Sequence, residues 1–166
     1  MFFNNKFYIP LTSINKMVKD LPLGEITLRK YEKPYDSGKR ELVRKVCLSL
    51  GLLQPGDSRD IMVDILMVLE DARKERKKLS SFEIRDKVDT ARKQNSQDNK
   101  GMAESNIRRQ LKRLRDMMLV DKSENLYNLS EFSSLSEIFE IKIEKFLIPQ
   151  TIDRIKEYLG KLEEVK

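Results

Sequence analysis

The sequence predicts a mainly α-helical fold carrying one short β-hairpin late in the chain. Charged residues make up 36% and hydrophobic residues 39% of the chain, with a mean hydropathy of −0.57, the balance of a soluble, helix-rich protein. Apolar residues recur at steps of three and four through most of the chain from Lys39 onward. Residues 119–129 alternate in the manner of paired strands. At 166 residues the chain suits one domain with appendages and needs no disulfide or metal staple to bury a core.

Residues 1–37 read as an irregular leader, mixing Phe2, Phe3, Phe7 and Tyr8 with Pro10, Pro22 and Pro34; Glu25 to Tyr31 alternates like a short edge strand. From Lys39 the period becomes helical: Leu42, Val43, Val46, Cys47 and Leu50 share a face, and Gly51 stands where a left-handed helix end is wanted. Cys47 on that face reads as packing, not as a reactive thiol. Gln54-Pro-Gly-Asp-Ser is a turn, with Asp57 or Ser58 as N-cap of a helix over about 59–78. Its middle, Ile65 to Leu69, is apolar nearly all round, which predicts a central helix with the one from Lys39 lying against it.

Ser80-Ser-Phe-Glu fits a capping box, opening a helix marked by Ile84, Val88 and Ala91. Gln94 to Gly101 holds no apolar residue and reads as a solvated loop. A helix over about 103–118 follows, with Ile107, Leu111 and Leu114 in one stripe. Leu119 to Lys122 and Asn125 to Leu129 then form a hairpin about Ser123-Glu124. Leu135 to Leu147 is helical again, Pro149 is expected to break that helix, and Thr151 to cap the last one.

Composition removes whole classes of chemistry. There is no histidine, so imidazole bases and His-ligated metals are absent, and one cysteine cannot make an internal disulfide or a Cys-rich metal site. The single thiol fits a cytoplasmic setting. The longest apolar run, Ile65 to Leu69, is five residues, far short of the roughly 20 that cross a bilayer. The first residues lack the basic start and long apolar stretch of a signal peptide. The six glycines are scattered singly, outside any phosphate loop or nucleophile elbow, so no enzymatic activity, cofactor or metal is expected.

Helix, capped helix from Ser81, loop, helix and hairpin form an order with a known counterpart. Ala103-Glu-Ser-Asn-Ile-Arg-Arg-Gln-Leu-Lys-Arg-Leu-Arg-Asp-Met-Met-Leu-Val resembles the recognition helix and wing of the winged helix-turn-helix family of prokaryotic and archaeal-type transcriptional regulators. Ile107, Leu111, Leu114, Leu119 and Val120 stand at the family's apolar places, and Leu79-Ser-Ser-Phe-Glu-Ile is similar to the start of its second helix. The chain departs from the pattern at Met118, where the family often has glycine, and in the length of the loop after the second helix. The resemblance covers about residues 59–132. It implies a fold of three helices plus a β-hairpin wing, with an additional N-terminal helix in a bracing segment, 1–58, and C-terminal helices in a dimerisation segment, 133–166.

Charge sharpens the implied function. The net charge is +6, and residues 100–115 hold six basic side chains against one acidic, Glu104, a local excess of +5. With the apolar stripe inward, Ser105, Arg108, Arg109 and Lys112 point outward. Such a helix fits a major groove, where Arg pairs with guanine and Asn or Gln with adenine. Ser105, Asn106, Arg109 and Gln110 are the base-edge candidates, and Lys100, Arg108, Lys112, Arg113 and Lys122 the phosphate candidates. The charge runs at Arg73 to Lys78 and Arg92-Lys93 read as solvated surface.

In the last helix Ile152, Ile155, Leu159 and Leu162 step by three and four, the dimer-interface candidates for a twofold protein reading double-stranded DNA. They could instead pack on the Leu135–Leu147 helix within one chain. Two other functions stay open: a protein-docking module within a larger nucleic-acid-processing complex, and RNA binding, against which stands the lack of aromatics between Arg92 and Arg115.

Overall fold

A computed structural model describes residues 20–165. It is mainly helical with one small antiparallel sheet. The elements run α1 (Lys39–Ser49), α2 (Ile61–Lys74), β1 (Leu79–Ser80), α3 (Ser81–Gln94), α4 (Glu104–Asp116), β2 (Val120–Ser123), β3 (Leu126–Leu129), α5 (Leu135–Ile138), an i→i+5 wound stretch over Phe139–Leu147, and α6 (Ile148–Glu164). The aromatics and Pro10 of the expected leader lie outside the described residues. Among the described residues no helix is long and apolar enough to cross a membrane.

α2 is the central helix, as its apolar middle requires. Ile61, Met62, Val63, Ile65, Leu66 and Leu69 are all buried, and α1, α3, α4 and β3 pack around it. It is shorter than expected, beginning after Asp60 and not at Arg59. Neither Asp57 nor Ser58 caps it: the Asp57 carboxylate accepts the Arg59 backbone N–H at 2.9 Å, closing a turn before the helix. α3 opens on the expected capping box, with Ser80 Oγ accepting the Glu83 N–H and the Glu83 carboxylate accepting the Ser80 N–H at 2.7 Å.

The sheet has strand order β1-β3-β2, all antiparallel. Ser123 pairs with Leu126, so the hairpin closes on two residues, Glu124 and Asn125, at φ 49° and 62°. Two left-handed residues make the turn whose twist matches its strands, one position later than the sequence suggested. β1 was not foreseen: two residues are too short for any alternation to register, and it exists because β3 offers an open edge to Leu79 and Ser80.

Three expectations are corrected. Residues 25–31 form no strand. Ile26 and Tyr31 pack on the core, but the segment finds its partners at the end of α1, where Arg29 donates its N–H to Ser49 O at 2.8 Å and its guanidinium to Leu48 O and Leu53 O at 3.0 and 3.1 Å. Because the last turn of α1 has no basic residue of its own, Arg29 supplies the cation that a helix C-terminus favours. Arg92 is not solvated surface; it is 3% exposed and forks onto Asp64 and Asp60 of the α2 start. Finally, Pro149 does not break the C-terminal helix. A proline removes one backbone donor and crowds the carbonyl four residues back, and the i→i+5 winding just before it is where the helix takes up that mismatch. Thr151 therefore caps nothing, and donates its hydroxyl to Leu147 O at 2.9 Å within the continuous helix.

Candidate nucleic-acid interface

α4 divides into two faces. Ile107, Leu111 and Leu114 are wholly buried, an anchorage of about 1.5–3 kcal/mol for each aliphatic side chain. The opposite face, Ser105, Arg108, Arg109, Lys112, Arg115 and Asp116, is exposed along the length of the helix. The C-terminus of α4 ends in a Schellman motif, with Met118 N–H to Arg115 O at 2.8 Å and Leu119 N–H to Leu114 O at 2.9 Å. Met118 holds φ 59° there, so the turn is made in the left-handed region without glycine.

Of the four base-edge candidates, Ser105 and Arg109 are exposed. Arg109 donates to Asn106 Oδ1 at 2.7 Å and has no carboxylate partner among the described residues. Asn106 and Gln110 are corrected. Gln110 is 8% exposed, and the two amides belong to a ladder along the flank of the helix. Asn106 Nδ2 donates to Gly101 O at 2.8 Å, Gln110 Nε2 donates to Asn106 Oδ1 at 3.1 Å, and Arg113 Nη1 donates to Gln110 Oε1 at 3.0 Å. Arg113 closes the ladder on Gly51 O at 3.2 Å, so it too is corrected, from a phosphate ligand to a tie between α4 and the end of α1. A buried amide that leaves such a ladder strands its partners, at a cost of about 1–3 kcal/mol.

The remaining phosphate candidates are exposed. Arg108 pairs with Glu104 at 3.0 Å and Lys112 with Asp116 at 2.7 Å, both one helical turn apart. Pairs of this kind are worth about 0.3–0.5 kcal/mol and yield readily to a phosphate. Lys100 lies in the loop before α4, 3.4 Å from Asp98. Lys122 stands on β2 over the Tyr127 ring, 5.7 Å from its centroid. Asp121, a nearby acid, is exposed and accepts from the Ser130 hydroxyl and the Glu131 N–H.

The fold adds groups to this face that sequence spacing did not single out. Phe82, half exposed at the start of α3, has the Arg85 and Arg108 guanidinium carbons each 5.6 Å from its ring centroid. Ser81 Oγ donates to Glu104 Oε1 at 2.6 Å, joining the N-terminal ends of α3 and α4 so that these groups form one surface. Lys78 donates to Ser123 Oγ at 2.9 Å and adds a cation beside the hairpin. Arg59 shares a cleft of about 390 Å³ with Arg109 and Arg113. Each depends on contacts between elements far apart in the chain, which no local pattern encodes.

The dimer candidates are also placed. Ile152, Ile155, Leu159 and Leu162 are 45–69% exposed, and no residue of α6 is buried. α6 runs straight on from the preceding helical stretch and does not fold back on it as an antiparallel pair. Among the described residues no cluster of acidic residues and Cys47 is arranged to hold a metal. No protein-family model matches the chain, and no curated protein or solved structure matches it.

Proposed function

We propose that this protein is a cytoplasmic winged-helix transcriptional regulator that binds double-stranded DNA as a homodimer, without catalytic activity of its own. The carrying observation is the division of α4 into a wholly buried aliphatic stripe and an exposed face bearing Ser105, Arg108, Arg109 and Lys112. The order α2-β1-α3-α4-β2-β3, with β1 closing the hairpin into a three-stranded sheet, supports the winged-helix reading.

In this reading α4 enters the major groove. Ser105 and Arg109 face base edges; Arg109 exchanges its neutral Asn106 partner for a guanine edge. Arg108, Lys112 and Lys100 meet phosphates, with Arg85 flanking them and Lys122 and Lys78 at the hairpin. The unpartnered apolar face of α6 supplies the twofold contact.

The test is a gel-shift titration of the full chain with random duplex DNA at two salt concentrations, with single-stranded RNA as competitor. The logarithm of the binding constant should fall against log salt with a slope near −0.9 per phosphate contact. A salt-independent shift, or none, overturns the proposal. One observation favours a second reading: Phe82, set against Arg85 and Arg108, is an aromatic platform on which an unpaired base could stack. Displacement of duplex by equimolar RNA would select it.

A further inference from the structure

We infer that the cleft between α4 and the turn leading into α2 holds a phosphate group of the duplex backbone, with Arg59 as its ligand and Arg113 as a fixed charge beside it. The inference rests on the duplex-binding reading above and adds a contact outside α4 and the hairpin. The cleft, of about 390 Å³, brings Arg59, Arg109 and Arg113 together against one acid, Asp57. The Asp57 carboxylate is engaged by the Arg59 backbone N–H at 2.9 Å. Arg59 is exposed, and among the described residues its guanidinium makes no hydrogen bond or ion pair.

The place of the cleft on α4 selects the ligand. With Ile107, Leu111 and Leu114 buried, the helical rotation sends Arg108 and Arg115 to one flank of α4 and Asn106, Gln110 and Arg113 to the other. A helix with its side chains is about 10–12 Å across and a major groove about 12 Å wide, so a helix seated there meets a sugar–phosphate wall on each flank. The first flank offers Arg108, with Arg85 beside it across the Phe82 ring. The second offers no free donor of its own, because Asn106, Gln110 and Arg113 are committed to one another and to Gly101 O and Gly51 O. Arg59 stands on this second side, and Gly101, the neighbour of Lys100, lines the same cleft. The guanidinium fork of Arg59 matches a phosphate bidentately. Arg113 keeps its bonds to Gln110 and Gly51, so its charge adds to the field of the cleft without moving, while Arg109 stays available for the base edge next to the phosphate.

The experiment measures duplex affinity against salt for the full chain as wild type, Arg59→Ala, Arg59→Lys and Lys74→Ala. The last removes an equal charge at the far end of α2, roughly 20 Å away at 1.5 Å per residue. Arg59→Ala should lower the salt slope by about one and weaken binding about eightfold at 0.1 M salt, the factor that one phosphate contact carries there. Its melting temperature should not change, because the guanidinium has no partner in the fold. Arg59→Lys should keep the wild-type slope, and Lys74→Ala both slope and affinity. Wild-type binding by Arg59→Ala, or an equal loss in Lys74→Ala, overturns the inference while sparing duplex binding. If Arg59→Ala binds duplex normally yet loses a stabilisation that inorganic phosphate gives the wild type at constant ionic strength, the cleft takes a free anion, and the backbone is overturned as the source. A wild-type chain with no salt-dependent duplex binding overturns both readings.

Discussion

The Arg92 guanidinium of α3 lies against the Asp64 carboxylate of α2 with Nε 2.6 Å from Oδ2, and both side chains are buried. Arg92 also donates to Asp60 Oδ1 at 2.8 Å and to Asp98 O at 2.7 Å, while Arg40 of α1 donates to the same two carboxylates. The cluster joins α1, α2, α3 and the loop leading to α4. Arg92→Ala should therefore cost about 3–5 kcal/mol in urea denaturation, because it leaves the Asp60 and Asp64 carboxylates with Arg40 alone and removes the tie to Asp98 O. Arg92→Lys should recover only part of that, since an ammonium cannot reproduce the fork. A loss below about 1 kcal/mol for Arg92→Ala, the scale of an exposed pair, would contradict the role given to the cluster.

On the exposed face of α4, Arg109→Ala should flatten the preference among duplex sequences, whereas Lys112→Ala should weaken every duplex alike and lower the salt slope by about one. Gln110→Ala should act differently from both. Its side chain is buried in the ladder, so its first effect is a fall in thermal stability. Equal effects of all three on affinity, with unchanged melting, would refute the division of the helix.

Ser96 and Met118 end α3 and α4 in the left-handed region, at φ 52° and 59°. That region costs a side-chain-bearing residue about 1–2 kcal/mol. Ser96 is exposed, so Ser96→Gly should raise stability by about 1 kcal/mol by removing that cost. Met118→Gly should yield less, because a half-buried side chain is lost with the strain. Melting temperatures of the two variants give the comparison directly.

Cys47 is wholly buried, and burial pushes its thiol from 9.0 up to about 12. A pKa raised by folding gives a contribution that is intact below pH 9 and is lost as pH climbs from 9 toward 12, at about 1.4 kcal/mol per unit. The native protein should resist thiol reagents at pH 8 and react only on unfolding. Cys47→Ala should show a shallower alkaline loss of stability than the wild type, and equal slopes would remove the assignment.

Several elements were legible in the sequence because their causes are local. The capping box of α3 needs only Ser80 and Glu83, the stripe of α4 only a 3.6-residue period, and the central place of α2 only an apolar middle with no polar side to expose. The hairpin was legible to within one residue, since alternation shows strands but the backbone conformation at Glu124 and Asn125 chooses the turn.

What the sequence by itself determined is the presence of helices α1 to α4, the buried stripes of α2 and α4 and the concentration of positive charge on α4. Tertiary structure alone decided which polar groups stay free. Periodicity treats Asn106, Gln110, Arg113 and Arg92 as surface, yet Asn106, Arg113 and Arg92 find partners on another element or in a neighbouring loop, and Gln110 is buried between Asn106 and Arg113. Phe82, Arg85 and Lys78 join the basic face only because α3 and β1 are packed beside α4 and the hairpin. The physical reason is that hydrophobic burial follows the rotation of a single helix, whereas a hydrogen bond or ion pair depends on a partner whose distance is set by the whole fold.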